Sequence, residues 1–154
     1  MKTQIYNYRS GQQIIPENIK RTVISSIEGI DYVIGRYDIR SFNKDLMSKL
    51  LLCGWSDSMP LSVYSKISIT GANDEIGMCI QTGNVARTYA DLLKLQTLYT
   101  DGKIRAGILV LPTKECADAI GKNVANYERF LRELTYIFSK VITIPLLIIA
   151  FRSN

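Results

Sequence analysis

Apolar and polar positions change period several times along the chain, and each change marks an element. Ile15-Pro16-Glu17-Asn18 has the composition of a helix start, with proline in the first turn and an acid close behind it. Ile19, Val23, Ile24, Ile27 and Ile30 then recur at helical spacing, which predicts an amphipathic helix over 16–30. Ser41 or Asn43 can cap a second helix that runs to Cys53, with Leu46, Leu50 and Leu51 on its buried side. Gly54, just past its end, can take the left-handed conformation that other residues resist.

The period then falls to two. Ser65-Lys66-Ile67-Ser68-Ile69-Thr70 and Ile76-Gly77-Met78-Cys79-Ile80-Gln81 alternate strictly on either side of Gly71-Ala72-Asn73-Asp74, which predicts a β-hairpin. In such a hairpin Ile67, Ile69, Ile76, Met78 and Ile80 face the core, while Gly77, Cys79 and Gln81 share the other face. Thr82-Gly83-Asn84 breaks the strand, and Val85, Tyr89, Leu92, Leu93 and Leu98 predict a helix of about four turns that stops at Asp101-Gly102. Residues 104–111 are so apolar that both faces of the strand they form must be covered, and Pro112 ends it. A long helix over 123–139 is expected next, with Val124, Tyr127, Phe130, Leu131, Leu134, Ile137 and Phe138 as its stripe. A last buried strand then covers 141–151. The order α-α-β-β-α-β-α-β predicts a mixed sheet flanked by helices, with a parallel, right-handed strand–helix–strand unit at its centre.

Composition narrows the chemistry. The 154 residues suit a single domain over 1–154, and 47% hydrophobic against 21% charged residues is the balance of an ordinary folding chain. No run approaches the roughly 20 apolar residues of a membrane helix, and the polar start Met1-Lys2-Thr3-Gln4 has no secretory pattern. The expectation is therefore a cytoplasmic protein without a membrane partner. Three cysteines, Cys53, Cys79 and Cys116, without C-x-x-C spacing argue against a disulfide frame. The absence of histidine excludes an imidazole base, the usual triad and His-ligated zinc, so any catalysis must run on carboxylates, lysines or cysteines. The net charge of +5 leans toward a polyanionic partner, though only modestly.

The block Glu75-Ile-Gly-Met-Cys-Ile-Gln-Thr-Gly-Asn-Val-Ala-Arg87 is followed by Tyr89-Ala-Asp-Leu-Leu-Lys-Leu-Gln-Thr-Leu-Tyr99 and Lys103-Ile-Arg-Ala-Gly-Ile-Leu-Val-Leu-Pro112. In this order it resembles the PD-(D/E)XK nucleases, and within them the BamHI/BglII group of type II restriction endonucleases. The likeness spans roughly residues 65–151. It implies a restriction-endonuclease-like α/β fold, a mixed central sheet flanked by helices. In that family two acids on adjacent strands hold Mg²⁺ against the scissile phosphate, and the residue two past the second acid positions the water.

Carried over to this chain, the resemblance puts Gln81 at the last position of the motif. Cys79 then stands where the second acid is expected and Thr70, or Ser68, where the first would lie. The motif is thus degenerate, because a thiol is a soft ligand and a poor partner for Mg²⁺. Asp74 and Glu75 are the nearest carboxylates and could hold a metal only if the register slips or the turn folds back. Asn84, Arg87 and Lys94 are expected to line the cleft beside Gln81, with the two cations on phosphates. The plainer readings are that Cys79 is a small core residue, Gln81 a surface strand residue, and Arg87, Lys94, Lys103 and Arg105 an ordinary solvated face. Glu28, on the first helix, is expected to face solvent.

Three functions follow. The leading one is a nuclease-fold protein that binds double-stranded DNA as a homodimer, its two-fold matching that of a palindromic site, with cleavage lost or weakened. The second is an active endonuclease that requires Mg²⁺ and uses Asp74 and Glu75, with Gln81 orienting water. The third is an interaction protein that kept only the scaffold and needs no cofactor.

Overall fold

The computed structural model describes residues 1–31, 33–35 and 38–153. An N-terminal strand β1 (Lys2–Tyr8) leads through a single turn α1 (Gly11–Ile14) into helices α2 (Glu17–Glu28) and α3 (Ile39–Leu52). Short strands β2 (Met59–Pro60), β3 (Ser68–Ile69) and β4 (Gly71–Asn73) precede β5 (Ile76–Ile80) and helix α4 (Val85–Thr100). Strand β6 (Ala106–Pro112), helices α5 (Lys114–Ile120) and α6 (Tyr127–Tyr136), a 3-10 turn (Phe138–Lys140) and strand β7 (Leu146–Arg152) complete the order.

The sheet runs β1-β7-β6-β5-β4. Its inner pairs β5–β6 and β6–β7 are parallel, and the outer pairs β1–β7 and β4–β5 antiparallel, so the sheet is mixed. Helices cover both faces. Ile19, Val23 and Ile27 of α2 and Phe42, Leu46 and Leu50 of α3 repeat every fourth residue, so each set forms one buried stripe. They pack on Ile76, Met78, Ile108, Val110 and Leu147, and the Phe42 and Phe151 rings stack with centroids 4.4 Å apart. On the other face Leu92, Leu95 and Leu98 of α4 and Phe130 and Leu134 of α6 cover Cys79, Leu109, Leu111 and Ile148. Every residue of β6 is buried, as a central parallel strand between two helical layers must be. Among the described residues no helix is long and apolar enough to cross a membrane.

The expected parallel unit is present, and Gly54 and Gly102 hold the left-handed φ of 88° and 68° expected of helix stops. Several expectations need correction. Strand β1 had no period to announce it: its residues alternate poorly, and it is stabilised as an edge by pairing Lys2 to Tyr8 with β7. Helix α3 begins at Ile39, ahead of Ser41 and Asn43, and Asn43 lies within it. The hairpin is shorter than its alternation suggested. Its arms are Gly71–Asn73 and Ile76–Ile80, and its turn is Asp74-Glu75, with φ of 46° and 61° at the two positions, as a tight two-residue hairpin requires. Ser68–Ile69 pairs instead with Met59–Pro60 in a separate two-stranded sheet. Ile69 accordingly packs on the Cys79 side and Ile67 is exposed, so neither shares a face with Ile76 and Met78. The expected helix over 123–139 starts at Tyr127, capped by Asn126, whose side chain accepts from the Arg129 N–H at 3.0 Å; α5 lies before it. Strand β7 begins only at Leu146, because the N–H groups of Thr143 and Ile144 donate to Gln96 Oε1 at 2.8 and 3.0 Å rather than to a neighbouring strand.

Candidate functional site

Strand β5 ends at Ile80, and residues 81–84 carry the chain from the carboxyl end of the sheet to the start of α4. This is where open α/β sheets present their ligand crevices. Asn84 starts the helix by accepting the Ala86 N–H at 2.8 Å, which satisfies one of the free donors of the first turn. Arg87, Asp91 and Lys94 then fall at intervals of four and three, so all three project from one face of α4. They form one wall of a cleft of about 480 Å³, the largest volume among the cavities described. Asn43 of α3, Ser68, Thr70 and residues 80–83 form the others.

A connected polar network organises this cleft. Asp91 is 7% exposed and accepts two charge-assisted bonds, from Gln81 Nε2 at 2.6 Å and from Lys94 Nζ at 2.9 Å. Gln81 Oε1 accepts the Gly83 N–H at 2.9 Å, so both ends of this buried amide are engaged. Asn43 Nδ2 donates to Thr82 Oγ1 at 2.8 Å and ties α3 to the same loop. A carboxylate this far from water is tolerable because both oxygens are bonded, one to a cation. The Arg87 side chain, by contrast, is exposed and makes no hydrogen bond or ion pair among the described residues.

Cys79 of β5 and Gln81, one residue past its end, both face α4, as alternation requires. Thr70 lies across from them, its Oγ1 accepting the Ile80 N–H at 3.0 Å. Cys79 is packed among Ile69, Leu92 and Leu95 and is 1% exposed. Burial pushes its thiol far above the usual cysteine range, and the nearby Asp91 carboxylate adds to the shift. The side chain is therefore a neutral thiol in the core. Asn84 caps the helix and does not line the cleft, whereas Arg87 and Lys94 do.

Asp74 and Glu75 occupy the hairpin turn at the opposite end of β5. At about 3.3 Å per residue, the six steps from Glu75 to Gln81 span roughly 20 Å. The structure does not bring these carboxylates to the cleft. Asp74 is instead 3.4 Å from Arg105 Nη2, with both side chains exposed. Glu28 likewise lies far along the fold, accepting from Thr3 Oγ1 at 2.6 Å.

The donors in the cleft do not fit a divalent metal. Mg²⁺ is held by hard oxygen ligands, usually including one or two carboxylates. Here the only carboxylate among the lining residues is Asp91, already bonded to an ammonium and an amide. Thr70 accepts from backbone, Gln81 is engaged at both ends, and Cys79 is buried as a thiol. Among the described residues no three His, Cys, Asp or Glu side chains converge. Two cations, Arg87 and Lys94, face one acid, so the lining is net positive.

The sequence reading missed Asp91 and Asn43. Asp91 sits between the apolar Ala90 and Leu92 with cations four residues before and three after it. That spacing was a readable signal of a charged helix face beside Gln81. Asn43 carried none, because only the packing of α3 against the sheet brings it to Thr82.

Comparisons with known proteins add the family. No curated protein matches the chain. Solved structures of restriction endonuclease BglII share its fold. Restriction endonuclease BglII complexed with a DNA 16-mer superposes with a TM-score of 0.86 at 12% identity, covering 100% of this chain and 79% of that one. Free BglII gives 0.79 at 11% identity, covering 100% and 81%. In sequence, the family model described as restriction endonuclease BglII/BglIII matches residues 3–151, nearly the whole length. On that match the chain belongs to the BglII/BglIII restriction endonuclease family.

Proposed function

We propose that this protein binds double-stranded DNA through the cleft between β5 and α4, and that its cleavage of DNA is lost or weakened. One observation carries the reading: the cleft of a restriction-endonuclease fold is lined by two cations and by one carboxylate that Lys94 already neutralises. A net positive cleft attracts phosphate and disfavours the divalent ion that phosphodiester hydrolysis would use. A relative with the same fold is known in complex with a DNA 16-mer, and the chain's net charge of +5 has the matching sign. The active alternative built on Asp74 and Glu75 has no geometric support, since those side chains lie beyond the far end of β5. A homodimer belongs to the same proposal, because a two-fold protein matches a palindromic duplex.

The test combines binding and cleavage. Fluorescence anisotropy with a labelled duplex is expected to show affinity that falls steeply with salt. Replacing Arg87 and Lys94 together by Ala should weaken binding and reduce the slope by up to about two units. Plasmid incubated with Mg²⁺ or Mn²⁺ is expected to remain uncut, and sedimentation should report a dimer. Chelator-sensitive cleavage by the unmodified protein would overturn the loss of activity. Unchanged binding and slope in the folded double variant would favour the interaction-protein reading.

A further inference from the structure

The cleft holds a cation of its own. Asp91 accepts Lys94 Nζ at 2.9 Å, and the acid is in turn oriented by Gln81 at 2.6 Å, which the Gly83 N–H anchors at 2.9 Å. This chain of bonds starts in buried residues and ends on an ammonium whose side chain is 26% exposed, so the head is fixed from behind and open in front. An ammonium carries three donors. Asp91 uses one, and Lys94 Nζ makes no other bond among the described residues, which leaves two for a ligand. Arg87, two turns earlier on the same helix face, adds a guanidinium with all its donors free.

We infer that Lys94 is the resident cation of this cleft, so that with Arg87 it seats a backbone phosphate of DNA without a divalent ion. The inference rests on the DNA-binding reading and deepens it. A divalent ion entering the cleft would meet the Lys94 ammonium at close range in a partly buried site, where like charges are poorly screened. It would have to displace that ammonium from the one carboxylate present. A phosphodiester oxygen meets the opposite field and finds donors already aimed at it, which spares the ordering cost of a mobile lysine. The lysine thus does by a covalently tethered charge what a bound metal does by coordination, namely neutralise phosphate. It supplies no activated water, which agrees with binding that is not followed by cleavage.

The experiment uses the full chain, a labelled duplex and inorganic phosphate as a second probe. Duplex affinity in EDTA should lie within about twofold of that in Mg²⁺ at matched ionic strength. Lys94→Met should weaken binding in EDTA by about tenfold, the size expected for a charge-assisted bond to phosphate. Lys94→Arg should restore most of the loss. Lys94→Met also frees Asp91, so Mn²⁺ should recover part of the affinity in that variant and none in the parent. In parallel, inorganic phosphate in EDTA should shift the amide NMR signals of Gly83 and the Gln81 side chain in the parent and not in Lys94→Met. A parent protein that binds duplex only with Mg²⁺ or Mn²⁺, or a folded Lys94→Met that binds like the parent in EDTA, overturns the inference. Should Lys94→Met fail to fold, the comparison of EDTA with Mg²⁺ in the parent still decides. If no duplex binds under any condition, the DNA reading falls. Phosphate shifts that depend on Lys94 would then sustain the cation site, and their absence would remove it as well.

Discussion

Acidic side chains stand near both ends of strand β5, Asp74 and Glu75 in the turn before it and Asp91 of α4 beyond it, and their fates differ. At the hairpin end Asp74 and Glu75 lie in a two-residue turn, and the Asp74 side chain is 67% exposed and 3.4 Å from Arg105. At the other end the Asp91 side chain is 10% exposed and held by Gln81 and Lys94 at 2.6 and 2.9 Å. An exposed pair such as Asp74–Arg105 contributes about 0–1 kcal/mol and is screened by salt. A carboxylate kept from water must hold its partners or lose much of its stability. The comparison teaches that proximity in sequence to a motif is a poor guide to the acid that shapes the site. Asp91 is ten residues from Gln81 and touches it, while Glu75 is six residues away and does not.

The largest effect expected from testing this contrast is at Cys79. Cys79→Glu places a carboxyl in a position 1% exposed, close to the Asp91 carboxylate and with the nearby Lys94 already bonded to that acid, and should destabilise the fold by roughly 3–5 kcal/mol at neutral pH. Burial would raise the folded pKa of that carboxyl above its unfolded value. The loss should therefore be largest at neutral pH and shrink as pH falls through about 4, below which both states are protonated. Urea unfolding at two pH values measures it. The reverse exchange at the other end, Glu75→Cys, should change stability little, since that site is open to water.

A smaller loss is expected when Gln81 becomes Leu. The variant strips one donor from Asp91 and leaves the Gly83 N–H without its acceptor, for about 2–3 kcal/mol in chemical denaturation. A change below about 0.5 kcal/mol would mean that Asp91 is solvated like Asp74, and the contrast between the two ends would collapse.

Next comes an alkaline limit to stability. Burial raises the Cys79 thiol well above its ordinary value of 9.0 and lifts Cys116 to about 11, while Cys53 is exposed. Below pH 9 folded and unfolded states are both protonated and no stability is lost. Above it the unfolded thiols ionise first, so stability should fall by up to about 1.4 kcal/mol per pH unit per buried thiol. The fall from Cys116 should level off near pH 11. Melting temperature against pH, with Cys79→Ser and Cys116→Ser as separate controls, reads the slope. Iodoacetamide at pH 8 should label Cys53 well before the other two.

The smallest effect belongs to the turn. Glu75→Gly relieves a residue at φ 61° and should stabilise the hairpin by roughly 0.5–1 kcal/mol. Asp74→Asn, which tolerates the same conformation, should move stability by under about 0.5 kcal/mol and leave duplex binding unchanged.

Much of the fold was legible because its signals are local. Helices α2, α3 and α4 carry apolar stripes at helical spacing, and β6 is a continuous apolar run, so pattern alone marks them. Strand β1 was not legible, because an edge strand borrows its stability from its neighbour β7 rather than from its own alternation. The alternation of residues 65–70 misled for a related reason. It shows that a segment is extended and says nothing of its partner, and the partner of Ser68–Ile69 proved to be β2.

The site divides along the same line. By itself the sequence determined which chemistry is available: no imidazole, few thiols, and Cys79 on the strand that leads into Gln81. It also determined that Arg87 and Lys94 share a helix face with Asp91, because helical period depends on spacing alone. Only the tertiary structure decided that Asp91 would be the acid of the cleft, that Asn43 of α3 would reach Thr82, and that Asp74 and Glu75 would be left at the far end. The physical reason is that burial and hydrogen-bond partnership arise from how separate elements pack. A carboxylate becomes part of a site when a distant chain segment excludes its water and supplies its donors, and spacing along the sequence encodes neither event.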